Sequence, residues 1–384
     1  MTDVIVPAEG ILLGRARVPG HGYPRVVAVR DGALYDITSR QAPTVRDVCE
    51  MKDPAGYVYG AAGHRVGDLD AILANSWRDE FNPQLAALLS PIDLQAVKAA
   101  GVTFVVSLLE RVIEEQARGD KNKADLLRAD ILKLIGTDLS QLVPGSEAAM
   151  EVKRTLVERG VWSQYLEVGI GPDAEVFTKC QPMATVGYGA DIGILESSQW
   201  NNPEPEVAVV VSSAGRIVGA TLGNDVNLRD LEGRSALLLG KAKDNNASAS
   251  LGPFIRLFHD GFTLDAVRRA DISLKVTGKD GFELSGHSSM SQISRSPEAL
   301  VASTIGSHHQ YPDGFVLYLG TMFAPVKDRE GPGKGFTHKT GDIVSISTPA
   351  LGKLSNRVRL ASECPPWSYG ASHLMRDLAG AGLL

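Results

Sequence analysis

Trp200-Asn-Asn-Pro-Glu204-Pro-Glu206-Val-Ala-Val-Val-Val211 is followed by Ser212-Ser-Ala-Gly215, by the run Arg216 to Leu222, and by Gly223-Asn224-Asp225. The apolar run 207–211, bounded by turn residues, predicts a buried strand. Glu204 and Glu206 stand at its entrance, two positions apart. Alternate residues of an extended backbone share a face, roughly 6.5–7 Å apart along the strand. Two carboxylates so placed repel each other unless something positive lies between them. The turn at 212–215 predicts a hairpin, in which positions whose numbers sum to about 429 face each other. Glu204 then faces Asp225, and a third carboxylate joins the first two. Hard oxygen donors gathered at one point suit Mg²⁺ or Mn²⁺, with waters or substrate oxygens in the open positions. The other reading is a group of solvated acids at the mouth of a hairpin, each in its own salt bridge. The pattern alone leaves both open.

Outward from this hairpin, the 384 residues exceed one ordinary core and suit two domains. Residues 1–98 read as a small N-terminal mixed β domain, with a hairpin from Val26 to Ile37 about Asp31-Gly32. Residues 99–165 read as a helical connection: Phe104 to Ala117, Lys123 to Ile135 and Ser146 to Arg159 carry apolar spacings of three and four. Residues 166–384 return to short β-type runs and read as a larger, mostly β C-terminal domain. The fold class expected is α+β.

Composition narrows the function. Hydrophobic residues make up 43% and charged residues 22%, with a formal net charge of −6. That is globular, and it lacks the basic excess of a nucleic-acid binder. No apolar run approaches the ~20 residues that span a bilayer, and the N-terminus shows no secretory pattern, so the cytoplasm is the expected location. Cys49, Cys180 and Cys364 are far apart and odd in number, which argues against a disulfide framework or a zinc–thiolate site. Gly187-Tyr-Gly-Ala-Asp-Ile-Gly193 has its third glycine one position late for a dinucleotide loop and reads as a turn. Gly331-Pro-Gly-Lys-Gly335 lacks the Ser or Thr of a P-loop, and His308-His309 is adjacent rather than one helical turn apart.

Glu204-x-Glu206, then Gly223-Asn-Asp-Val-Asn-Leu-Arg-Asp230, then Leu251-Gly-Pro253 resemble the fumarylacetoacetate hydrolase family, in its order and spacing. The resemblance spans about 176–358 and implies a mixed β-roll catalytic domain that binds Mg²⁺ or Mn²⁺ through Glu204, Glu206 and Asp225. It also implies a catalytic lysine eight residues before the Leu of Leu-Gly-Pro. Lys243 meets that spacing, and Lys241 does not. Gly320-Thr321 matches the family's Gly-Thr loop, which holds the substrate carboxylate, and Phe177-Thr-Lys179 matches its Phe-x-Lys. Lys179 is therefore a third candidate for substrate binding. The stretch from Gly101 to Phe104 leading to Glu114-Glu115, and the Trp-Asn-x-Pro-Glu-Pro-Glu run, look like the branch of 2-keto-3-deoxy sugar-acid (pentonate) dehydratases. The polar loop Asp244 to Ser248 replaces the Ser-Phe-Asp usual in hydrolase members.

The resemblance thus implies an Mg²⁺-dependent hydro-lyase of sugar-acid catabolism. It would take a small 2-oxo acid, a 2-keto-3-deoxy pentonate, to 2-oxoglutarate semialdehyde through a metal-stabilised enolate. Glu114 or Glu115 would act as acid or base. A homodimer or higher homo-oligomer is expected from the same source. The alternatives are a carbon–carbon hydrolase of 2,4-dioxo acids, a 2-oxo acid decarboxylase, and a non-catalytic assembly protein stabilised by metal.

Overall fold

The computed structural model describes residues 4–384 apart from 78, 80, 105–107, 109–141, 161, 324, 326 and 332–334. In chain order its strands are β1 (Leu12–Arg17), β2 (Arg25–Arg30), β3 (Ala33–Asp36), β4 (His64–Asp68), β5 (Ala87–Leu88), β6 (Ala96–Gly101), β7 (Glu175–Cys180), β8 (Asp191–Ile194) and β9 (Asn201–Asn202). Then follow β10 (Pro205–Val211), β11 (Ile217–Asp225), β12 (Asn227–Leu228), β13 (Ala249–Leu257), β14 (Asp271–Thr277), β15 (Glu283–Ser289), β16 (Phe315–Tyr318), β17 (Ile343–Thr348) and β18 (Gly352–Leu360).

The large sheet runs β4-β3-β2-β1-β13-β11-β10-β16-β6-β7, with β5 beside β1. The smaller one runs β15-β14-β17-β18-β8. Both are mixed: β16 pairs with β6, and β18 with β8, in parallel, while the other pairs are antiparallel. The central strand β10 is buried along its whole length. Side chains alternate across a strand. Val207, Val209 and Val211 accordingly join the core shared with Ile272, Leu274 and Val344 of the smaller sheet. Ala208 and Val210 face a second core with Val45, Val48, Ala55 and Val58 of the helices Val45–Glu50 and Pro54–Gly60.

The expected hairpin registers are observed. Pro205 pairs with Asn224 and Glu206 with Gly223. β2 and β3 pair about Asp31 and Gly32, which take φ of 47° and 70°; positive φ at both central residues matches the strand twist in a tight turn. The predicted helix at 146–159 is Glu147–Glu158, and its N-cap Ser146 accepts from Ala149 N. Of the other two predicted helices, Lys123 to Ile135 and most of Phe104 to Ala117 lie outside the described residues, as do Glu114 and Glu115. The division expected at residue 98 passes through β6, and β1 hydrogen-bonds to β13, so N-terminal strands continue the sheet that carries Glu204. Among the described residues, no helix is long and apolar enough to cross a membrane. Cys49, Cys180 and Cys364 are buried and form no disulfide, and burial pushes the Cys180 thiol up to about 12.

Candidate active site

Glu204, Glu206 and Asp225 are brought together as the hairpin register requires. One carboxylate oxygen from each lies within 4.8 Å of the others, and all three residues are buried. Asp225 N donates to Glu204 O at 3.1 Å, and the amide oxygen of Asn224 accepts from Glu204 N at 3.0 Å, so the entrance to β10 is tied to the end of β11. Asn227, two positions beyond Asp225, donates from Nδ2 to Glu204 Oε1 at 3.1 Å and to Glu232 Oε2 at 2.5 Å.

Lys243 ends the short helix Leu239–Lys243. Lys241 and Lys243 are two positions apart, which on a helix turns them to different sides. Lys241 is accordingly exposed, whereas Lys243 is buried. The Lys243 ammonium lies 2.5 Å from Glu204 Oε2 and 3.1 Å from Asp225 Oδ2. Its Nζ also sits 5.5 Å over the Phe177 ring. Ser248 Oγ donates to Lys243 O at 2.7 Å, so the polar Asp244–Ser248 loop folds back on the helix end.

Lys179, fully buried on β7, lies 2.8 Å from Asp225 Oδ1 and donates to Val226 O at 3.1 Å and Lys243 O at 2.5 Å. In strand order β7 is four places from β11, yet Lys179 meets the end of that strand. The sheet therefore curls on itself, which is the roll expected of the fold.

Gly320 N donates to Glu206 Oε2 at 2.7 Å. Gly320 has φ of +101°, and a Cβ there would stand 2.0 Å from Thr103 Oγ1, so both conformation and space require glycine. Thr103 Oγ1 in turn donates to Leu319 O at 2.6 Å. The hydroxyl of Thr321 donates to Phe323 O at 3.2 Å, and the residue is buried beside the triad's Gly320.

The electrostatics of the three acids differ. Burial, then the like charges of Asp225 and Glu204, push the Glu206 carboxyl well above the ordinary range. Burial acts on Asp225 in the same direction, but Lys179 and Lys243 outweigh it and hold that carboxyl below its usual value. Glu206 Oε1 is buried with no hydrogen-bond partner, and the Lys179–Asp225 Oδ1 contact is a charge pair rather than an aligned hydrogen bond. Converging carboxylate oxygens left short of donors fit a hard divalent cation, which supplies charge without needing a proton.

Asn224, Asn227 and Thr103 were not singled out from sequence. Asn227 had a readable signal, since the period of a strand puts it on the face of Asp225. Thr103 had none locally. His308 and His309 are exposed, and Gly187–Ala190 forms a turn before β8.

Residues 158–359 match the fumarylacetoacetate hydrolase C-terminal family, and the chain belongs to that family. Over 340 residues it is 28% identical to a probable 2-keto-3-deoxyxylonate dehydratase of Haloferax volcanii, across 88% of this chain and 96% of that one. It is 33% identical over 188 residues to a 2-dehydro-3-deoxy-D-arabinonate dehydratase of Saccharolobus solfataricus, across 48% of this chain and 58% of the other. Among solved structures it resembles a 2-keto-3-deoxy-D-arabinonate dehydratase in its apo form, with TM-score 0.62, 23% identity and coverage of 91% and 99%. It also resembles a 2-keto-3-deoxy-D-arabinonate dehydratase complexed with magnesium and 2,5-dioxopentanoate, with TM-score 0.60, 23% identity and the same coverage of 91% and 99%. At that identity the structural likeness establishes the fold.

Proposed function

We propose that this chain is a divalent-cation-dependent dehydratase of a 2-keto-3-deoxy pentonate, yielding 2-oxoglutarate semialdehyde. The observation that carries the reading is the Lys243 ammonium set against Glu204 and Asp225 inside a buried triad. The match to the Haloferax dehydratase over 88% of this chain supports the substrate class. Mg²⁺ is the cation proposed, with Mn²⁺ as the other hard ion such ligands accept.

Glu204, Glu206 and Asp225 would hold the cation. When bound, it supplies positive charge that draws electron density from the substrate's 2-oxo group. The chain's residues do the rest. Lys243 would stand by the 2-oxo oxygen and offset the enolate charge that develops there as the C3 proton leaves. Thr321 would turn its hydroxyl from Phe323 O to the substrate carboxylate and fix the orientation of the reacting carbons. The Gly320 amide keeps Glu206 in place through the hydrogen bond already described. The C3–H and C4–O bonds break, the hydroxyl departs with a proton as water, and tautomerisation through C5 yields the aldehyde. Net loss is one water. Glu114 and Glu115 remain the proposed acid or base for the C4 hydroxyl.

The test is incubation with Mg²⁺ and a panel of 2-keto-3-deoxy sugar acids and 2,4-dioxo acids, with products identified by mass. Loss of one water from a pentonate is expected. Gain of water with carbon–carbon cleavage of a dioxo acid would replace this reading with a hydrolase, and no turnover with metal bound would replace it with an assembly role.

A further inference from the structure

Two residues on one face of β7, Phe177 and Lys179, meet Lys243 at opposite ends. The Phe177 ring lies under its ammonium at 5.5 Å, within range of a cation–π contact. The Lys179 ammonium grips its backbone, donating to Lys243 O at 2.5 Å. An ammonium has three N–H donors. Two of those of Lys179 meet Lys243 O and Val226 O, its charge is paired with Asp225 Oδ1 at 2.8 Å, and the side chain has no exposed surface. The ammonium is thus enclosed by groups of the protein itself rather than presented to a substrate. The chain at Lys243 is a short helix end followed by an irregular loop, so the lysine's position is set by what holds its carbonyl. Lys179 and Ser248 Oγ both do so.

We propose that Lys179 is a positioning residue rather than a substrate contact: with Phe177 it fixes Lys243 at head and base, and it keeps the Asp225 carboxylate turned into the triad. The inference rests on the dehydratase reading for its kinetic consequence, but not for its structural one.

Lys179→Met in the full chain separates the possibilities. Partners that orient metal-site groups typically cost 10–100-fold when removed. A fall in kcat of roughly that size is expected, with KM for the sugar acid within about twofold of the parent. Independently of turnover, hydrogen exchange followed by mass spectrometry should show residues 239–250 exchanging about tenfold faster, because the hydrogen bonds that close the loop have lost their anchor. Residues 205–211, in the sheet centre, should be unchanged. If Lys179→Met does not fold, Lys179→Gln serves. Its amide keeps N–H donors on a stem one bond shorter and puts no charge beside Asp225, and a smaller rise in exchange at 239–250 with the same kcat-only defect is expected. Phe177→Leu leaves the hydrogen bonds alone and should lower kcat with neither KM nor exchange altered.

A tenfold rise in KM with kcat and exchange unchanged would make Lys179 a substrate contact and overturn the proposal. So would parent-like behaviour in every measure. If the parent enzyme turns over no sugar acid, the dehydratase reading falls, and the exchange comparison alone still decides whether Lys179 anchors the loop.

Discussion

Replacing Lys243 with methionine keeps the stem and removes the charge, and the structure sets what should follow. The lost ammonium lies 2.5 Å from Glu204 Oε2 and 3.1 Å from Asp225 Oδ2, and none of the three side chains is more than 3% exposed. Removing one partner from a buried ion pair costs about 3–5 kcal/mol, because a charge is left without compensation. Lys179 stays beside Asp225 and moderates the loss, so the lower end, about 3 kcal/mol, is expected. At roughly 2 °C per kcal/mol in a chain of this size, Tm of the chelator-treated protein should fall on the order of 6 °C. Added Mg²⁺ should return much of that, since a bound cation replaces the missing charge and stabilises by mass action. In kinetics, kcat should fall by roughly a hundredfold or more, as for other groups aimed at developing charge, with a smaller change in KM. Lys241→Met, on the exposed side of the same helix, is the control and should leave Tm and kcat near those of the parent. Differential scanning fluorimetry with and without chelator, alongside steady-state kinetics, makes the measurement. A parent-like Tm and kcat in Lys243→Met would refute the reasoning, and a large defect confined to Lys241→Met would mean the helix phase is wrong.

The triad should act as a unit: Glu204→Ala, Glu206→Ala and Asp225→Ala should each abolish calorimetric Mg²⁺ binding while the fold is kept, and parent-like affinity in all three would end the assignment. In the parent, the Glu206 carboxyl is raised by burial and by its acidic neighbours, so Mg²⁺ uptake should expel a proton and affinity should climb with pH. Calorimetry in buffers of different ionisation heat reads that proton directly. If Thr321 turns to the substrate carboxylate as proposed, Thr321→Val removes a hydrogen bond to a charged group worth about 1.5–3 kcal/mol, which should raise KM about tenfold or more with a smaller fall in kcat. Away from the site, burial would raise the Asp342 carboxyl, but Arg329 and His338 outweigh it and lower it from 3.8 to about 2. A depressed pKa contributes stability that is complete above the unfolded value and is lost as pH falls through the folded one, here no more than about 2 kcal/mol between pH 4 and 2. Asp342→Asn should therefore flatten the acid limb of a urea-midpoint-versus-pH curve, and an unaltered slope would count against the pair.

The convergence of the three carboxylates was legible because its geometry is local. A hairpin with a readable turn determines its own register, and Pro205↔Asn224 and Glu206↔Gly223 follow from counting back from Ser212–Gly215. Lys243 was legible through family spacing, and helix phase then explains why its neighbour Lys241 faces solvent. Lys179 was legible as a motif member but not in its role, because its contact with Asp225 spans the curl of a sheet, and curvature leaves no periodic mark in a chain. The continuity of the N-terminal strands with the catalytic sheet was hidden for a related reason. Composition changes along the chain, whereas the β1–β13 pairing is a choice of neighbour made in space.

Gly320 and Thr103 stand 217 residues apart, yet the space a side chain would need at one is occupied by the hydroxyl of the other. Their evolution is therefore contingent. A lineage cannot leave glycine at position 320 by a single step without displacing Thr103, whose hydroxyl secures Leu319, and so disturbing the loop that presents an amide to Glu206. Shrinking residue 103 would clear the space, at the loss of the hydrogen bond to Leu319 O, but φ of +101° would still favour glycine at 320. Sequences descended from this one should therefore hold glycine at 320 under two constraints, of which a change elsewhere in the chain can relax only one.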